Sequence, residues 1–159
     1  MKRLHVHIRA KDLDESVRFY SALFGRGPDK HEPDYAKWLL DDPRANISIS
    51  TRADAAGVDH VGVQVDDRDA LLVIADRLKA TEADLVEQTD ATCCYARSDK
   101  YWARSPEGAV WELFHTFGDS ADYGGDLVPQ TAGQVGACCP ETGCAEAATA
   151  PEAACCAPQ

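Results

Sequence analysis

The chain has 159 residues, of which 45% are apolar and 27% charged, a composition typical of a globular protein with one domain, or one domain and an appendage. Its net charge of −11 disfavours nucleic acids and anionic membranes as partners, because both bind basic surfaces. No apolar run approaches the roughly 20 residues of a membrane-spanning helix and no signal-peptide stretch begins the sequence, so we expect a cytoplasmic protein.

The first half of the chain predicts a strand, a helix and three further strands. Alternating β-branched and polar residues from Leu4 onward predict the first strand. Asp12 then opens a segment whose apolar residues recur at helical spacing, from Leu13 to Leu23. Shorter strand-like runs follow near His31, at 35–41 and at 46–51. The predicted order is therefore β-α-β-β-β.

The second half repeats the first at an offset of 55 residues. His60 matches His5 in this alignment, and Asp67 matches Asp12. Its helix has apolar residues at the same spacing, and the strand-like runs that follow are 85–89, 98–104 and 110–116. Two β-α-β-β-β modules, about 1–54 and 55–117, are therefore predicted to pair in an α+β domain over 1–117.

The composition of the chain changes near Gly118. Residues 118–159 contain no Lys, Arg or His and few large apolar side chains, so they cannot bury enough surface to offset chain entropy. We therefore predict a disordered acidic tail over 118–159. It holds five of the seven cysteines, which are Cys138, Cys139, Cys144, Cys155 and Cys156. Because the cytosol is reducing and the number of cysteines is odd, we expect thiols or metal ligands rather than a disulfide framework.

Histidines at equivalent positions of equivalent strands predict a metal site. If the two modules pair face to face, His5 and His60 converge by pseudo-symmetry. Glu112 on the last strand can add a carboxylate, and two imidazoles with one carboxylate form the facial triad typical of non-haem Fe(II). His7 faces the same side as His5 and is either a packing neighbour or the true ligand. No carboxylate occurs at 46–50, where a symmetry mate of Glu112 would lie, so a fourth protein ligand is not expected.

Several motifs resemble the vicinal oxygen chelate superfamily, over about residues 3–117. They are His5, Asp12-Leu13, Phe19-Tyr20 and Leu23-Phe24-Gly25 in the first module, and Asp59-His60-Val61-Gly62-Val63, Pro106-Glu107-Gly108 and Trp111-Glu112 in the second. The resemblance implies paired β-α-β-β-β modules that form a cupped mixed sheet around a divalent metal. It leaves the reaction open, because this fold hosts isomerases, ring-cleaving dioxygenases, thiol transferases and drug-sequestering proteins.

The adjacent cysteines Cys93 and Cys94 are the second chemical feature of the sequence. Neighbouring Cα atoms lie about 3.8 Å apart, so both sulfurs can reach one thiophilic atom such as trivalent arsenic. Adjacent side chains of a regular strand point to opposite faces, so the pair must lie in a turn or loop to converge. A vicinal disulfide and two small buried residues are the alternative interpretations.

The segment TCCYARSDKYW, which begins at Thr92, resembles the substrate-binding loop of the organoarsenical carbon–arsenic lyases. This branch of the superfamily also includes cadmium-induced proteins. The resemblance implies an Fe(II)-dependent dioxygenase that cleaves the carbon–arsenic bond of trivalent methyl- or aryl-arsenicals and releases arsenite. Some members have glutamine at the position of His5, which leaves the metal preference open.

Under this interpretation each chemical feature has a role. Cys93 and Cys94 hold the arsenical, Tyr95 forms an apolar wall for an aryl substituent, and the charge of Lys100 supports thiolate formation. The catalytic Fe(II) is held by His5, His60 and Glu112. The expected partners are dioxygen and a small trivalent organoarsenical, and a homodimer is left open. A soft-metal binding protein and a glyoxalase-type isomerase are the alternatives.

Overall fold

The computed structural model describes residues 1–125. Its elements are β1 (Lys2–Arg9), α1 (Leu13–Phe24), β2 (Lys30–Glu32), β3 (Tyr35–Asp41), β4 (Arg44–Ser50), β5 (Gly57–Val65), α2 (Arg68–Lys79), β6 (Leu85–Cys93), β7 (Ala96–Arg104) and β8 (Val110–Asp119). Each half has the order β-α-β-β-β, which confirms the prediction from the repeat. The fold is α+β, with two helices against one curled, mixed sheet of eight strands. Within the described residues, neither helix is long and apolar enough to cross a membrane.

Both helices begin after the aspartates that the repeat aligns. The Asp12 carboxylate accepts a hydrogen bond from the Glu15 N–H at 2.8 Å, and the Asp67 carboxylate accepts one from the Ala70 N–H at 2.7 Å. These caps satisfy donors that a first helical turn leaves without partners, and each typically stabilises a helix by about 1 kcal/mol. Helix α1 ends at Gly25, whose φ of 68° is accessible to glycine at little cost.

The strand order of the sheet is β2-β3-β4-β1-β5-β8-β7-β6. Within each module the first and last strands pair in parallel, β1 with β4 and β5 with β8, whereas β1 pairs antiparallel with β5 between the modules. This antiparallel register places Val6 opposite Val61, which relates His5 to His60 by a pseudo-two-fold axis. The two central strands therefore bring the equivalent histidines to the middle of one sheet face.

The two faces of the sheet differ in polarity. Apolar side chains of one face pack with the helices in two clusters, which are Leu13, Ala36, Trp38, Leu40, Ala45 and Ile49 in the first module and Val65, Leu71, Ala75, Tyr101 and Leu113 in the second. Each large apolar side chain buried in this way contributes about 1.5–3 kcal/mol. The opposite face buries polar side chains instead, among them His5, His7, Asn46, Ser48, His60, Ser98, Lys100 and Glu112. Buried polar groups need partners or a ligand, so this second face is the candidate site.

The close approach of β5 and β8 requires glycine at one position. Gly62 lies opposite Glu112 in the parallel register, and a Cβ built on Gly62 would lie 2.2 Å from the Glu112 carbonyl oxygen. Because the contact is with backbone, no side-chain movement relieves it. Gly62 therefore allows β8 to carry Glu112 beside the strand of His60.

Strand β6 is longer than predicted. The sequence predicts a strand over 85–89 followed by an irregular lead-in to the cysteines, whereas β6 continues to Cys93. The irregularity is present as a bulge between Gln88 and Ala91, where Asp90 has a φ of 50°. A bulge interrupts the ladder only locally, so pairing with β7 resumes after it and carries Cys93 to the end of the hairpin.

The chain beyond the second module returns to the cysteine segment. The predicted boundary at 117/118 falls within β8, which continues to Asp119, and Gly124 then forms an isolated antiparallel bridge with Cys93. From residue 126 the predicted tail lies outside the described residues, with Cys138, Cys139, Cys144, Cys155 and Cys156. The disorder of that tail and the division of the chain into two regions stay predictions.

Candidate metal and thiol site

The three predicted metal ligands meet on the polar face of the sheet. His5 on β1, His60 on β5 and Glu112 on β8 are each at most 5% exposed. The Nε2 atoms of both histidines lie 3.4 Å from the same oxygen, Oε2 of Glu112. Two imidazole nitrogens and one carboxylate oxygen therefore converge on one point from three different strands.

Hydrogen bonds at the far side of each ring orient these imidazoles. Nδ1 of His5 lies 3.0 Å from the Asn46 carbonyl oxygen, and Nδ1 of His60 lies 3.1 Å from Oδ1 of Asp59. A carbonyl or carboxylate at Nδ1 fixes the tautomer and turns Nε2 toward the metal in many metalloproteins. The donor set and its orientation thus fit a divalent cation of the kind that a facial triad binds.

His7 offers a third nitrogen, and so a fourth ligand atom, at the same place. One ligand atom from each of His5, His7 and His60 lies within 4.8 Å of the others. The register explains this, because His7 is directly opposite His60 across β1 and β5. Nε2 of His7 lies 2.9 Å from the Ser50 hydroxyl, and the His7 side chain also forms a hydrogen bond with the Cys94 thiol. His7 therefore connects the metal-ligand cluster to the cysteines.

A buried ion pair with Lys100 stabilises the negative charge of Glu112. Nζ of Lys100 lies 2.8 Å from Oε1 of Glu112. The two side chains are only 4% and 5% exposed, respectively. Burial alone raises the pKa of Glu112, but Lys100 and the hydrogen bond from His60 outweigh it and hold the pKa well below its usual range. Lys100 occupies one carboxylate oxygen, which leaves Oε2 toward the histidines.

The two histidines differ in protonation. Burial lowers the pKa of His5 to about 3, so its imidazole is neutral and can donate a lone pair. Burial also lowers the pKa of His60, but hydrogen bonds with Asp59 and Glu112 outweigh that effect and raise it to about 9. A metal ion that binds His60 at neutral pH would therefore displace a proton from it.

The predicted thiol pair lies in a tight hairpin turn between β6 and β7. Cys94 and Tyr95 have φ values of 57° and 59°, so two successive residues are left-handed, as in a type I′ turn. Such a conformation costs roughly 1–3 kcal/mol for each residue that is not glycine. The turn brings the Sγ atoms of Cys93 and Cys94 to 2.9 Å. Both are thiols rather than halves of a disulfide, and the turn confirms the prediction that the pair leaves regular strand geometry.

The surroundings of Cys94 lower the pKa of its thiol. Its hydrogen bond with Cys93 lowers the pKa most, burial opposes this, and His7 and the charge of Lys100 lower it further, to about 5. Cys94 is therefore a thiolate at neutral pH. Lys100 acts on the thiol through its charge while it contacts Glu112 directly.

We expect alkylation of Cys94 by iodoacetamide to show this lowered pKa. In metal-free full-length protein with the tail cysteines replaced by serine, the alkylation rate should rise through about pH 5, because the thiolate is the nucleophile. For a thiol with an unperturbed pKa, the alkylation rate would rise near pH 8.5 instead. Peptide mass spectrometry of the modified residue from pH 4 to pH 9 measures the midpoint, and a midpoint above pH 7 contradicts the expectation.

The thiols and the metal-ligand cluster face one small cavity. Its volume is about 30 Å³, more than the roughly 10–15 Å³ that one water-sized sphere occupies. The predicted site residues that line it are His5, His60, Cys93, Cys94, Lys100 and Glu112. Tyr95 does not line it, because its hydroxyl donates to Oδ1 of Asp34 at 2.6 Å, away from the sulfurs.

The first module has no carboxylate that corresponds to Glu112. Gly62 lies opposite Glu112, and the repeat offset makes His7 the counterpart of Gly62. The residue opposite His7 on β4 is Ser48, whose hydroxyl lies 3.0 Å from the Tyr35 hydroxyl. The register therefore places no carboxylate at the position that corresponds to Glu112, whereas His7 can serve as a fourth protein ligand, which the sequence did not lead us to expect in addition to the triad.

Several side chains at the site were not predicted to belong to it. They are Tyr35, Lys37, Ser50 and Tyr123, which lie around the thiols or in the cavities beside them. Tyr35 could have been found from strand alternation, because it shares its face with Lys37. Tyr123 could not, because it belongs to an irregular segment outside the repeat.

Comparison with known proteins gives a consistent result. Residues 2–113 match the family model of the Glyoxalase/Bleomycin resistance protein/Dioxygenase superfamily. The trivalent organoarsenical cleaving enzyme of Bacillus sp. strain MD1 is 40% identical over 121 residues, which are 73% of this chain and 74% of the relative. The cadmium-induced protein CadI of Mycobacterium tuberculosis is 33% identical over 127 residues, 78% of this chain and 82% of the relative.

Solved structures resemble the chain at the level of the fold. The 2,3-dioxygenase LapB of Pseudomonas sp. KL28 superimposes with a TM-score of 0.57 at 20% identity, over 74% of this chain and 42% of that protein. At this identity the likeness concerns the arrangement of strands and helices alone.

Proposed function

Because the chain belongs to the Glyoxalase/Bleomycin resistance protein/Dioxygenase superfamily, we propose that it is a metal-dependent enzyme that cleaves the carbon–arsenic bond of trivalent organoarsenicals and releases arsenite. The observation that carries the proposal is that two converging thiols and a His/His/Glu cluster face one cavity. The printed name of the relative from Bacillus sp. strain MD1 supports the choice of substrate.

Binding of the substrate is a double thiol exchange. In methylarsenite the arsenic carries one carbon group and two hydroxyl groups. Two As–S bonds form with Cys93 and Cys94 and two As–O bonds break. One hydroxide leaves as water with the proton of the Cys93 thiol, and the other leaves as water with a proton from solvent, because Cys94 is already ionised. The lowered pKa of Cys94 favours the first attack, and the turn holds the second sulfur 2.9 Å away. This pair of bonds fixes the direction of the remaining As–C bond, which is catalysis by positioning.

The proposed metal ligands are His5, His60 and Glu112, with Fe(II) as the proposed ion. Fe(II) held by such a triad supplies the activation of dioxygen. For the methyl substrate, one dioxygen balances the reaction, in which methylarsenite and dioxygen give arsenite and formaldehyde. The carbon is oxidised and dioxygen is reduced, while arsenic stays trivalent in arsenite. Lys100 keeps Glu112 ionised during the reaction, because its ammonium lies 2.8 Å from the buried carboxylate and balances the negative charge.

The proposal is tested by speciating arsenic after a single exposure to air. Protein loaded anaerobically with Fe(II) is incubated with methylarsenite, air is admitted, and arsenite and formaldehyde are measured. We expect the two products in equal amounts, and neither under nitrogen. Protein without metal is the control, and arsenite no higher than in that control contradicts the proposed reaction.

A soft-metal binding protein is the second candidate function. The converging thiols of Cys93 and Cys94 and the cadmium-induced relative favour it. It requires the thiols but not the His/His/Glu cluster, so variants of the cluster separate the two candidates. A glyoxalase-type isomerase is less well supported, because Ser48 stands where a second carboxylate would be needed as the fourth ligand.

A further inference from the structure

An irregular segment after β8 crosses over the turn that bears the thiols. We name residues 120–125 the strap. At its start the Ser120 N–H donates to the Tyr95 carbonyl at 3.0 Å, and at its end the Gly125 N–H donates to the Thr92 carbonyl at 3.0 Å. The strap is thus anchored on both sides of Cys93 and Cys94.

Gly124 is required for this close crossing. Its φ is 72°, and a Cβ built on it would lie 1.8 Å from the Thr92 carbonyl oxygen. No other residue type fits at this distance without a backbone shift. The strap is therefore closely fitted to the backbone of the cysteine segment.

The strap delivers one large side chain to the thiols, that of Tyr123. Its hydroxyl lies within hydrogen-bonding contact of the Cys94 thiol and of Ser50. Its ring lies edge-on to the rings of Tyr35 and Tyr95, at centroid distances of 6.1 Å and 5.6 Å. The hydroxyl and the ring therefore have different environments, and they can have different effects on a bound ligand.

The ring of Tyr123 forms one wall of a second cavity. This cavity has a volume of about 240 Å³ and is also lined by Cys93, His60, Ser50 and Arg52. The Arg52 guanidinium lies over one face of the Tyr123 ring, 4.2 Å from its centroid, and this cation–π contact holds the ring in place. A cavity of roughly 150 Å³ is large enough to hold benzene, so this space admits an aryl group attached to thiol-bound arsenic.

We propose that Tyr123 is a specificity-determining residue whose ring contacts the carbon substituent of an arsenical bound by Cys93 and Cys94. The geometry that carries the proposal is that Tyr123 lines the same cavity as Cys93 and that its ring packs against the ring of Tyr95, the residue that follows Cys94. It rests on the part of the proposed function that assigns arsenical binding to the thiols, and it is independent of the cleavage step. The ring favours an aryl substituent over a methyl group, because aromatic pairs gain attraction beyond the area that they bury.

The test compares the dissociation constants of phenylarsenite and methylarsenite. Both are titrated under nitrogen, so that no dioxygen is present, into full-length protein whose tail cysteines Cys138, Cys139, Cys144, Cys155 and Cys156 are replaced by serine. Protein fluorescence in the presence of a competing dithiol reports binding. The readout is the ratio of the two constants, because a general weakening of the thiol site changes both equally.

Tyr123→Ala removes the ring, and we expect it to weaken phenylarsenite roughly tenfold more than methylarsenite. Tyr123→Phe keeps the ring and loses the hydroxyl, so it should change both constants by one common factor and leave the ratio unaltered. If the alanine variant does not fold, Tyr123→Leu replaces it, since leucine fills much of the space without an aromatic face. Phe117→Ala is the matched control, because Phe117 also has an arginine over its ring but lines neither cavity beside the thiols.

An unchanged ratio in the variant that lacks the ring overturns the proposal. If that ratio is unchanged while arsenite is still released in air, the specificity proposal fails and the proposed function stands. If the ratio changes but no arsenite is released, the specificity proposal stands and the proposed cleavage reaction fails. If Cys93→Ser leaves the binding of both arsenicals unaltered, the site is not the thiol pair and both proposals fail.

Discussion

Cys93→Ser is expected to abolish arsenite release from methylarsenite and to weaken its binding strongly. With one sulfur, arsenic keeps a single As–S bond and rotates freely about it, so the As–C bond no longer has a fixed direction. Loss of such positioning lowers rates by roughly 100-fold or more. The hydroxyl of the introduced serine can still donate a hydrogen bond to the Cys94 sulfur, so the variant removes one As–S bond and leaves the thiolate a donor. Arsenic speciation after turnover and a binding titration under nitrogen measure the two effects.

The control for this variant is full-length protein in which only the tail cysteines, Cys138, Cys139, Cys144, Cys155 and Cys156, are replaced by serine. We expect it to release arsenite at close to the rate of the unmodified chain, because catalysis is assigned to the described domain. Thermal unfolding of Cys93→Ser checks the fold, since serine and cysteine have similar shapes. Cleavage that survives in Cys93→Ser but fails in the tail variant would move the substrate site into the tail.

Glu112→Gln is expected to remove bound iron and arsenite release while the thiols still bind arsenicals. A neutral amide is a poor replacement for an anionic oxygen ligand. The change also leaves the buried ammonium of Lys100 without its carboxylate, and loss of one partner of a buried ion pair costs about 3–5 kcal/mol. We therefore expect a lower free energy of unfolding, fewer iron atoms per chain, and no arsenite above the metal-free control.

The double variant Glu112→Gln with Lys100→Met separates stability from chemistry. It removes both charges of the ion pair, so we expect much of the lost stability to return without recovery of iron binding or arsenite release. Metal analysis, denaturant unfolding and a phenylarsenite titration cover the three readouts. If Glu112→Gln retains full arsenite release, the His/His/Glu cluster is not the metal centre. If the unmodified chain binds arsenicals and never releases arsenite, soft-metal binding is the function.

The parts of the site that could be predicted lie on regular elements of the repeat. His5 and His60 occupy equivalent positions of equivalent strands, and strand alternation puts Glu112 on the same face. The helix starts at Asp12 and Asp67 follow from local capping chemistry alone. Each of these inferences needs only the alternation of side chains along a strand, the spacing of the sequence repeat or a capping residue at a helix start. All three can be recognised in the sequence.

Other contacts depend on register and on curvature, which no local pattern records. His7 reaches the cluster because β1 and β5 pair with His7 opposite His60, whereas a shift of one residue would turn it to the other face. The ion pair between Lys100 and Glu112 joins neighbouring strands of one module, and it depends on the register in which β7 pairs with β8. The sequence indicates that the Lys100 ammonium lies near the thiols, but it does not show which carboxylate pairs with it.

The sequence by itself determined the fold class, the two modules, the residue types of the His/His/Glu cluster and the need for a turn at Cys93 and Cys94. Those features are encoded by periodicity, repetition and the chemistry of adjacent residues. Only the tertiary structure decided that the thiols and the cluster face one cavity and that Tyr123 reaches the sulfur from outside the repeat. The physical reason is that such contacts arise where strands distant along the chain pair and curl, and a linear pattern carries no record of that geometry.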